Sequence, residues 1–177
     1  MIFRMASYDP QDPDHANPPG LPTRGDGRLA LVIGYGLVGR LTAERLAETG
    51  FDVTIVEMNL STIQAQLSLD KRCTYGDARD PETLHKAGID RAAALIITIP
   101  DDDAAVEVCK VARGLRPDLF IAARTNFVSR GLKAKAMGAD AVVVEEIVTA
   151  EAMERLVTKH LCTPGDSGDE SADRRAG

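Results

Sequence analysis

Leu29-Ala-Leu-Val-Ile-Gly34-Tyr-Gly36-Leu-Val-Gly39 opens on five apolar residues and breaks into three glycines. The apolar run is the pattern of a strand buried on both faces of a parallel sheet. In Gly34-x-Gly36-x-x-Gly39 each glycine has its own task. Gly34 makes the tight turn out of the strand. Gly36 leaves room for the backbone to approach a pyrophosphate. Gly39 lets the next helix pack closely on the sheet. The first N–H groups of that helix have no helical partner and its dipole is positive there, so its start is an anion site. Asp52-Val-Thr-Ile-Val-Glu57 then reads as a second strand ending in an acid. Glu57 follows Gly34 at about the 20-residue distance at which a carboxylate reaches the ribose hydroxyls of a dinucleotide. A carboxylate there repels a 2′-phosphate, which favours NAD or a plain adenine nucleotide over NADP. The alternative is a glycine turn that serves only helix–sheet packing.

The whole chain sets bounds. Its 177 residues suit one domain with tails, and three cysteines far apart suit a reducing compartment. A net charge of −6 speaks against non-specific nucleic-acid binding. No apolar run approaches the ~18 residues of a membrane span, and no signal-peptide core stands at the N-terminus. The expectation is a cytoplasmic chain without direct membrane insertion.

Residues 1–28 are rich in Pro, Asp, Asn and Gly and read as a disordered leader. Residues 29–161 form the domain, and 162–177 read as a disordered tail. Within the domain, Asn59 or Ser61 caps a helix carrying Ile63, Leu67 and Leu69. Arg72–Tyr75 is a third strand, followed by Gly76-Asp77. Asp80-Pro81-Glu82 starts a short helix. Ala93–Ile99 is a fourth strand. Pro100-Asp101-Asp102-Asp103 opens a long helix whose apolar face leaves Val106 outside it. Its three carboxylates suit the helix dipole, and adjacent side chains do not converge on a metal. Leu119–Ala123 is a fifth strand, Phe127–Met137 a helix, Ala141–Val144 a sixth strand, and Ile147–Leu161 a last amphipathic helix.

This alternation predicts a Rossmann-like α/β fold: a doubly wound, parallel six-stranded sheet of order 3-2-1-4-5-6 with helices on both faces. The ligand crevice lies where the order reverses. Gly34–Gly39, Glu57, Asp77, Thr98 and Arg124 all fall at carboxyl ends of strands.

Gly34-Tyr-Gly-Leu-Val-Gly39, Val56-Glu57, Tyr75-Gly-Asp77-Ala78, Ile97-Thr-Ile-Pro100-Asp-Asp, Ile121-Ala-Ala-Arg124 and Gly138-Ala-Asp140 follow one another at familiar spacings. Together they resemble the nucleotide-binding regulatory domain of bacterial potassium transport systems, called KTN, RCK N-lobe or TrkA-N, over about residues 28–157. The likeness is greatest to the cytosolic domain of potassium/proton antiporters. The resemblance implies a nucleotide-sensing module that binds NAD(H) or AMP, ADP or ATP and gates a potassium or monovalent-cation transport system. It implies a homodimer or a ring of dimers, working beside a membrane transporter or channel subunit at the inner face of the membrane. It places Gly34, Tyr35, Gly36, Leu37, Val38 and Gly39 at the phosphates, and Glu57 with Met58 at the ribose. It places Asp77 and Ala78 beside the adenine, Thr98 and Ile99 under the cofactor, and Arg124 toward the phosphates. The last helix corresponds to one that crosses between subunits. Many relatives carry Arg where this chain has Leu37, so ATP is less favoured than AMP or ADP. With neither a second lobe nor a membrane segment, the chain reads as a free-standing regulator or a detached module.

The alternative is a small NAD-dependent oxidoreductase, which needs a substrate site and an acid or base near the nicotinamide. His15, His85 and His160 make no convincing catalyst, and Cys73 and Cys109 read as small core residues. Cys162 is a near-terminal thiol without an assigned role. A third reading is a scaffold that has lost its nucleotide. The broad apolar face of the long helix, with the final helix beyond the sixth strand, points to a homodimer.

Overall fold

In the computed structural model of the chain, residues 28–67 and 71–161 are described. The leader, the position of Leu69, Cys162 and the tail lie outside them. Six strands form one all-parallel sheet in the order β3-β2-β1-β4-β5-β6. The strands are β1 (Leu29–Ile33), β2 (Asp52–Glu57), β3 (Arg72–Tyr75), β4 (Ala92–Ile97), β5 (Phe120–Thr125) and β6 (Ala141–Val144). The helices are α1 (Leu37–Glu48), α2 (Leu60–Leu67), α3 (Pro81–Ala87), α4 (Asp102–Leu115), α5 (Val128–Ala136) and α6 (Glu145–Leu161). A single 3-10 turn, Ile89–Arg91, precedes β4; no apolar periodicity announces a segment that short. Other boundaries move by one or two residues, the range over which helix and strand ends fray.

The central strand is the most buried: every residue of β1 is enclosed, as the uninterrupted apolar run requires. Right-handed crossovers place α1 and α2 on one face and α3, α4 and α5 on the other. The larger core lies on the α3–α5 face, where Leu31, Ile33, Leu95, Ile97 and Ile121 meet Leu84, Val108, Cys109 and Ala134. Burial pushes the Cys109 thiol up to about 11, so it remains a small apolar filler. The smaller core joins Val32 and Ile55 to Tyr35 and Ala43 beside α1.

One expectation fails in packing. Val106, placed outside the apolar face of α4, is buried in the larger core. The reason is that α5 packs beside α4 on that flank, where Asp103 and Arg113, on either side of Val106, bond to Arg130 and to Gly138 O, and helical periodicity alone assigns the flank to solvent. The last helix carries the expected apolar residues and stands beyond the sixth strand, with no residue of α6 buried. The α1 face of β4, β5 and β6 is also open. There lies an apolar recess of about 530 Å³, lined by Val38 and Thr42 of α1, Ile96, Ala122 and Val143 of the strands, and Val148 of α6.

Candidate functional site

The site begins at the end of β1. Gly34 turns the chain at a φ of +87°, in the left-handed region, which glycine enters without the clash of a Cβ. Its N–H donates to Val56 O of β2 at 2.8 Å. A Cβ on Gly39 would lie 2.1 Å from Gly34 O and 2.6 Å from Thr98 Oγ1. The third glycine is thus required by contact between α1 and the strand ends. Gly36 differs, because a Cβ there would meet no atom within 4 Å. What it leaves clear is space outside the protein, where a ligand would lie. Gly36 is also the N-cap of α1 and supplies no side-chain hydrogen bond. The first N–H groups of α1 therefore keep their capacity for an anion.

β2 brings Glu57 against this loop. Its Oε2 accepts from Tyr35 N at 2.9 Å, while Oε1 accepts from Met58 N at 2.8 Å and Asn59 N at 2.9 Å. The carboxylate is fixed by three backbone donors and retains lone pairs for a hydroxyl. The Tyr35 side chain does not share the site. Its ring is buried in the smaller core, with its hydroxyl 2.8 Å from Lys71 Nζ. Only its backbone faces Glu57. Leu37 (67% exposed) and Met58 (59% exposed) flank the mouth.

β3 supplies Asp77. Its carboxylate accepts from the backbone N of Arg79 at 2.9 Å and from Arg79 Nη2 at 2.6 Å. The Arg79 hydrogen bonds hold the Asp77 carboxyl below the usual carboxylate range. Ala78 is buried beside it. Arg79 was not singled out from the sequence, although the two-residue spacing from Asp77 is that of an Asx-type turn.

Thr98 and Ile99 follow directly on β4. The buried Thr98 turns its hydroxyl into the loop, 2.9 Å from Ile33 O and 3.0 Å from Gly34 O. The Ile99 side chain packs under Gly34, its Cγ2 lying 2.9 Å from where a Cβ on that glycine would stand. Arg124, at the end of β5, is the residue least disposed as expected. Its Nε donates to Glu145 Oε1 at 2.5 Å, Nη1 to Ile99 O at 3.2 Å and Nη2 to Asn126 Oδ1 at 3.1 Å. The Arg124 hydrogen bond holds the Glu145 carboxyl below its ordinary range. Arg124 thus ties β5 to the first residue of α6. Nothing in the sequence pairs two residues so far apart.

The remaining polar candidates lie elsewhere. His85 Nδ1 sits 2.9 Å from Asp90 Oδ2, just before β4 and so at the amino edge of the sheet, opposite the glycine loop. His160 is exposed near the end of α6. Among the described residues, no cluster of three His, Cys, Asp or Glu is disposed to hold a metal, and no helix is long and apolar enough to cross a membrane.

Comparison with known proteins gives a consistent set of likenesses. The model of the TrkA-N domain family matches residues 30–145. The chain is 30% identical over 128 residues to a putative cation/proton antiporter, YbaL, of Escherichia coli K12, covering 72% of this chain and 23% of the relative. It is 31% identical over 116 residues to a probable potassium channel protein of Methanocaldococcus jannaschii, covering 64% of this chain and 34% of that one. The chain thus spans about a quarter to a third of these relatives. Among solved structures, the GsuK channel bound to NAD superposes with a TM-score of 0.66 at 31% identity, covering 75% of this chain and 24% of that one. GsuK has also been solved bound to ADP, with a TM-score of 0.65 at 30% identity, covering 75% and 34%. The C-terminal domain of Kef from Shewanella denitrificans, in an AMP-bound form, gives 0.65 at 26% identity, covering 76% and 83%.

Proposed function

The chain belongs to the TrkA-N domain family, and we propose that it is a nucleotide-sensing regulatory module that gates a potassium or monovalent-cation transport system. The observation that carries this reading is the α1 N-terminus. It starts on a glycine without a side-chain cap, opens on clear space, and has Glu57 fixed at its edge. Such an arrangement binds a nucleotide phosphate through backbone N–H groups and a ribose through the carboxylate. NAD(H), AMP and ADP fit it. Relatives of similar fold have been solved with NAD, ADP and AMP, which supports these ligands here. Leu37 offers no charge to a third phosphate, so ATP gains nothing over ADP from that position.

In this reading Gly34, Gly36, Leu37, Val38 and Gly39 surround the phosphates, with Tyr35 contributing through its backbone. Glu57 and Met58 border the ribose, and Asp77 and Ala78 the adenine. Arg124 reaches a phosphate by exchanging one of its present acceptors. The chain acts as a binding module and not as an enzyme, consistent with relatives named as a channel and an antiporter. It works in the cytoplasm, at the inner face of the membrane, through its partner transporter.

The working form is a homodimer. Val148, Met153, Leu156 and Val157 stand exposed along α6, and the open face of β4–β6 offers an apolar surface. A second copy covers both. A nucleotide carries a signal by binding one dimer arrangement better than the other. Because Arg124 holds Glu145 at the start of α6, ligand at the phosphates has a direct mechanical route to that helix.

A thermal-shift series with NAD, NADH, NADP, AMP, ADP and ATP tests the ligand. Bound nucleotide raises the melting temperature in the order of affinity. The expected order puts NAD, NADH, AMP and ADP ahead of NADP, with Glu57→Gln narrowing the gap between NAD and NADP. No shift with any of the six would return the chain to the scaffold reading. A monomer mass by light scattering at tens of micromolar would remove the dimer.

A further inference from the structure

Arg124 holds three acceptors of different kinds, and one of them is more readily given up than the others. Nη1 donates to Ile99 O at 3.2 Å. That carbonyl belongs to the backbone beside the glycine loop, for Ile99 N lies 3.3 Å from where a Cβ on Gly34 would stand. Nη2 donates to Asn126 Oδ1 at 3.1 Å. The Asn126 amide is pinned in turn, its Nδ2 donating to Pro100 O at 2.9 Å and to Asp102 Oδ1 at 3.0 Å. Nε donates to Glu145 Oε1 at 2.5 Å. Glu145 carries its carboxylate on a rotatable side chain that is 42% exposed, against 16% for Arg124. Water already reaches it, so it can leave the guanidinium and be solvated. Neither of the other two acceptors can do that without unpacking a turn.

The pair also stands where a ligand phosphate would compete with it. Arg124 and Glu145 border the same recess as Thr98 and as Val38, in the first turn of α1. A phosphate on the α1 N–H groups that reached for Arg124 would meet a carboxylate already on the guanidinium. Both anions take a guanidinium through charge-assisted hydrogen bonds, and like charges at one site disfavour each other. Arg124 is then available only for the fraction of time that Glu145 is away, and apparent affinity falls by that fraction. We propose that Glu145 is an internal competitor: it holds Arg124, and a nucleotide phosphate gains Arg124 by displacing it. Glu145 is the first residue of α6, so displacement unties β5 from that helix. By reciprocity, whatever strengthens the Arg124–Glu145 pair weakens the nucleotide. The inference rests on the nucleotide reading of the glycine loop.

The test compares Glu145→Gln, which keeps an acceptor of the same shape and removes its charge, with Glu146→Gln. The second variant removes the neighbouring charge, whose carboxylate lies 3.4 Å from Val128 N instead. Dissociation constants for ADP and for adenosine are measured by NMR titration on the full chain, with melting temperatures alongside. Glu145→Gln is expected to bind ADP about fivefold or more tightly than the parent, with adenosine changed by less than about twofold. Glu146→Gln is expected to change ADP by less than about twofold. In an Arg124→Ala background, Glu145→Gln is expected to gain less than about twofold, since no guanidinium is left to compete for. ADP bound by Glu145→Gln only as tightly as by the parent, or more weakly, would overturn the proposal. So would an equal gain from Glu146→Gln or with Arg124→Ala in place, because the effect would then be one of net charge. If Glu145→Gln melts without a cooperative transition, Glu145→Ala supplies the same comparison. A parent that binds ADP, with no gain in either Glu145 variant, removes the competitor and leaves the nucleotide reading standing. If neither parent nor variants bind ADP or adenosine, the nucleotide reading fails and the competitor with it.

Discussion

Two strand-to-helix turns stand side by side at the switch point of the sheet, and they are built oppositely. The β4–α4 turn is closed by its own side chains. Asp101 caps the helix, accepting from Asp103 N at 2.9 Å and Ala104 N at 3.0 Å. Asp102 accepts from Asn126 N at 2.9 Å and Asn126 Nδ2 at 3.0 Å. Asp103 accepts from Arg130 Nη1 at 2.5 Å. The three carboxylates, which read together as dipole complementarity, have three separate jobs. The β1–α1 turn is satisfied up to its glycines and then left open, for Gly36 caps nothing. A strand-to-helix turn thus serves as a structural joint in one case and, in the proposed reading, as an anion site in the other. What decides between them is one residue at the N-cap.

The largest expected effect comes from closing the open turn sterically. Gly39→Ala would put a methyl group 2.1 Å from a backbone oxygen, in a turn with no flexible side chain to yield. A loss of about 3 kcal/mol of stability is expected, read by urea denaturation. A variant as stable as the parent would mean that α1 can shift away from the sheet.

Arg124, at the end of β5 beside the β4–α4 turn, comes next. Arg124→Ala is expected to weaken ADP binding by about 1.5–3 kcal/mol if the guanidinium reaches a phosphate. Unchanged affinity at low salt would confine it to the joint with Glu145. Asp101→Ala has the smallest effect and sharpens the contrast. It should cost about 1 kcal/mol of stability, as loss of an N-cap does, with nucleotide affinity unchanged. A fall in affinity would draw the β4–α4 turn into the site.

The fold was legible because its signals are local. The run Leu29–Ile33, the glycine spacing and the order of strand ends need no tertiary information, and the sheet order follows from handed crossovers. The tasks of Gly34 and Gly39 are likewise legible, since each depends on sterics within one turn. What the sequence withheld depends on packing between distant elements. Val106 is buried because α5 lies against that flank of α4, which periodicity within α4 does not encode. The Tyr35 ring leaves the site because a cavity beside Ala43 and Ile55 accepts it. Arg124 takes Glu145 because β5 and β6 are neighbours, and two charges far apart in sequence reveal nothing of that. The hydrogen bond from Thr98 to Gly34 O was hidden for the same reason: its partner lies at the end of another strand.

If the open N-cap of α1 makes the anion site, one substitution exchanges the roles of the two turns. Gly36→Asp places at α1 the residue type that closes α4, at a backbone conformation of φ −69° and ψ −166° that an aspartate adopts without strain. The new carboxylate would accept from the helix's own N–H groups and repel a phosphate. Titration calorimetry of ADP into parent and variant measures the outcome. Micromolar-range binding is expected of the parent. The variant is expected to lose at least about a hundredfold, roughly 2.7 kcal/mol, with melting temperature equal to or above the parent's. A folded variant that binds ADP as tightly as the parent would contradict the account, because the phosphate would then lie elsewhere.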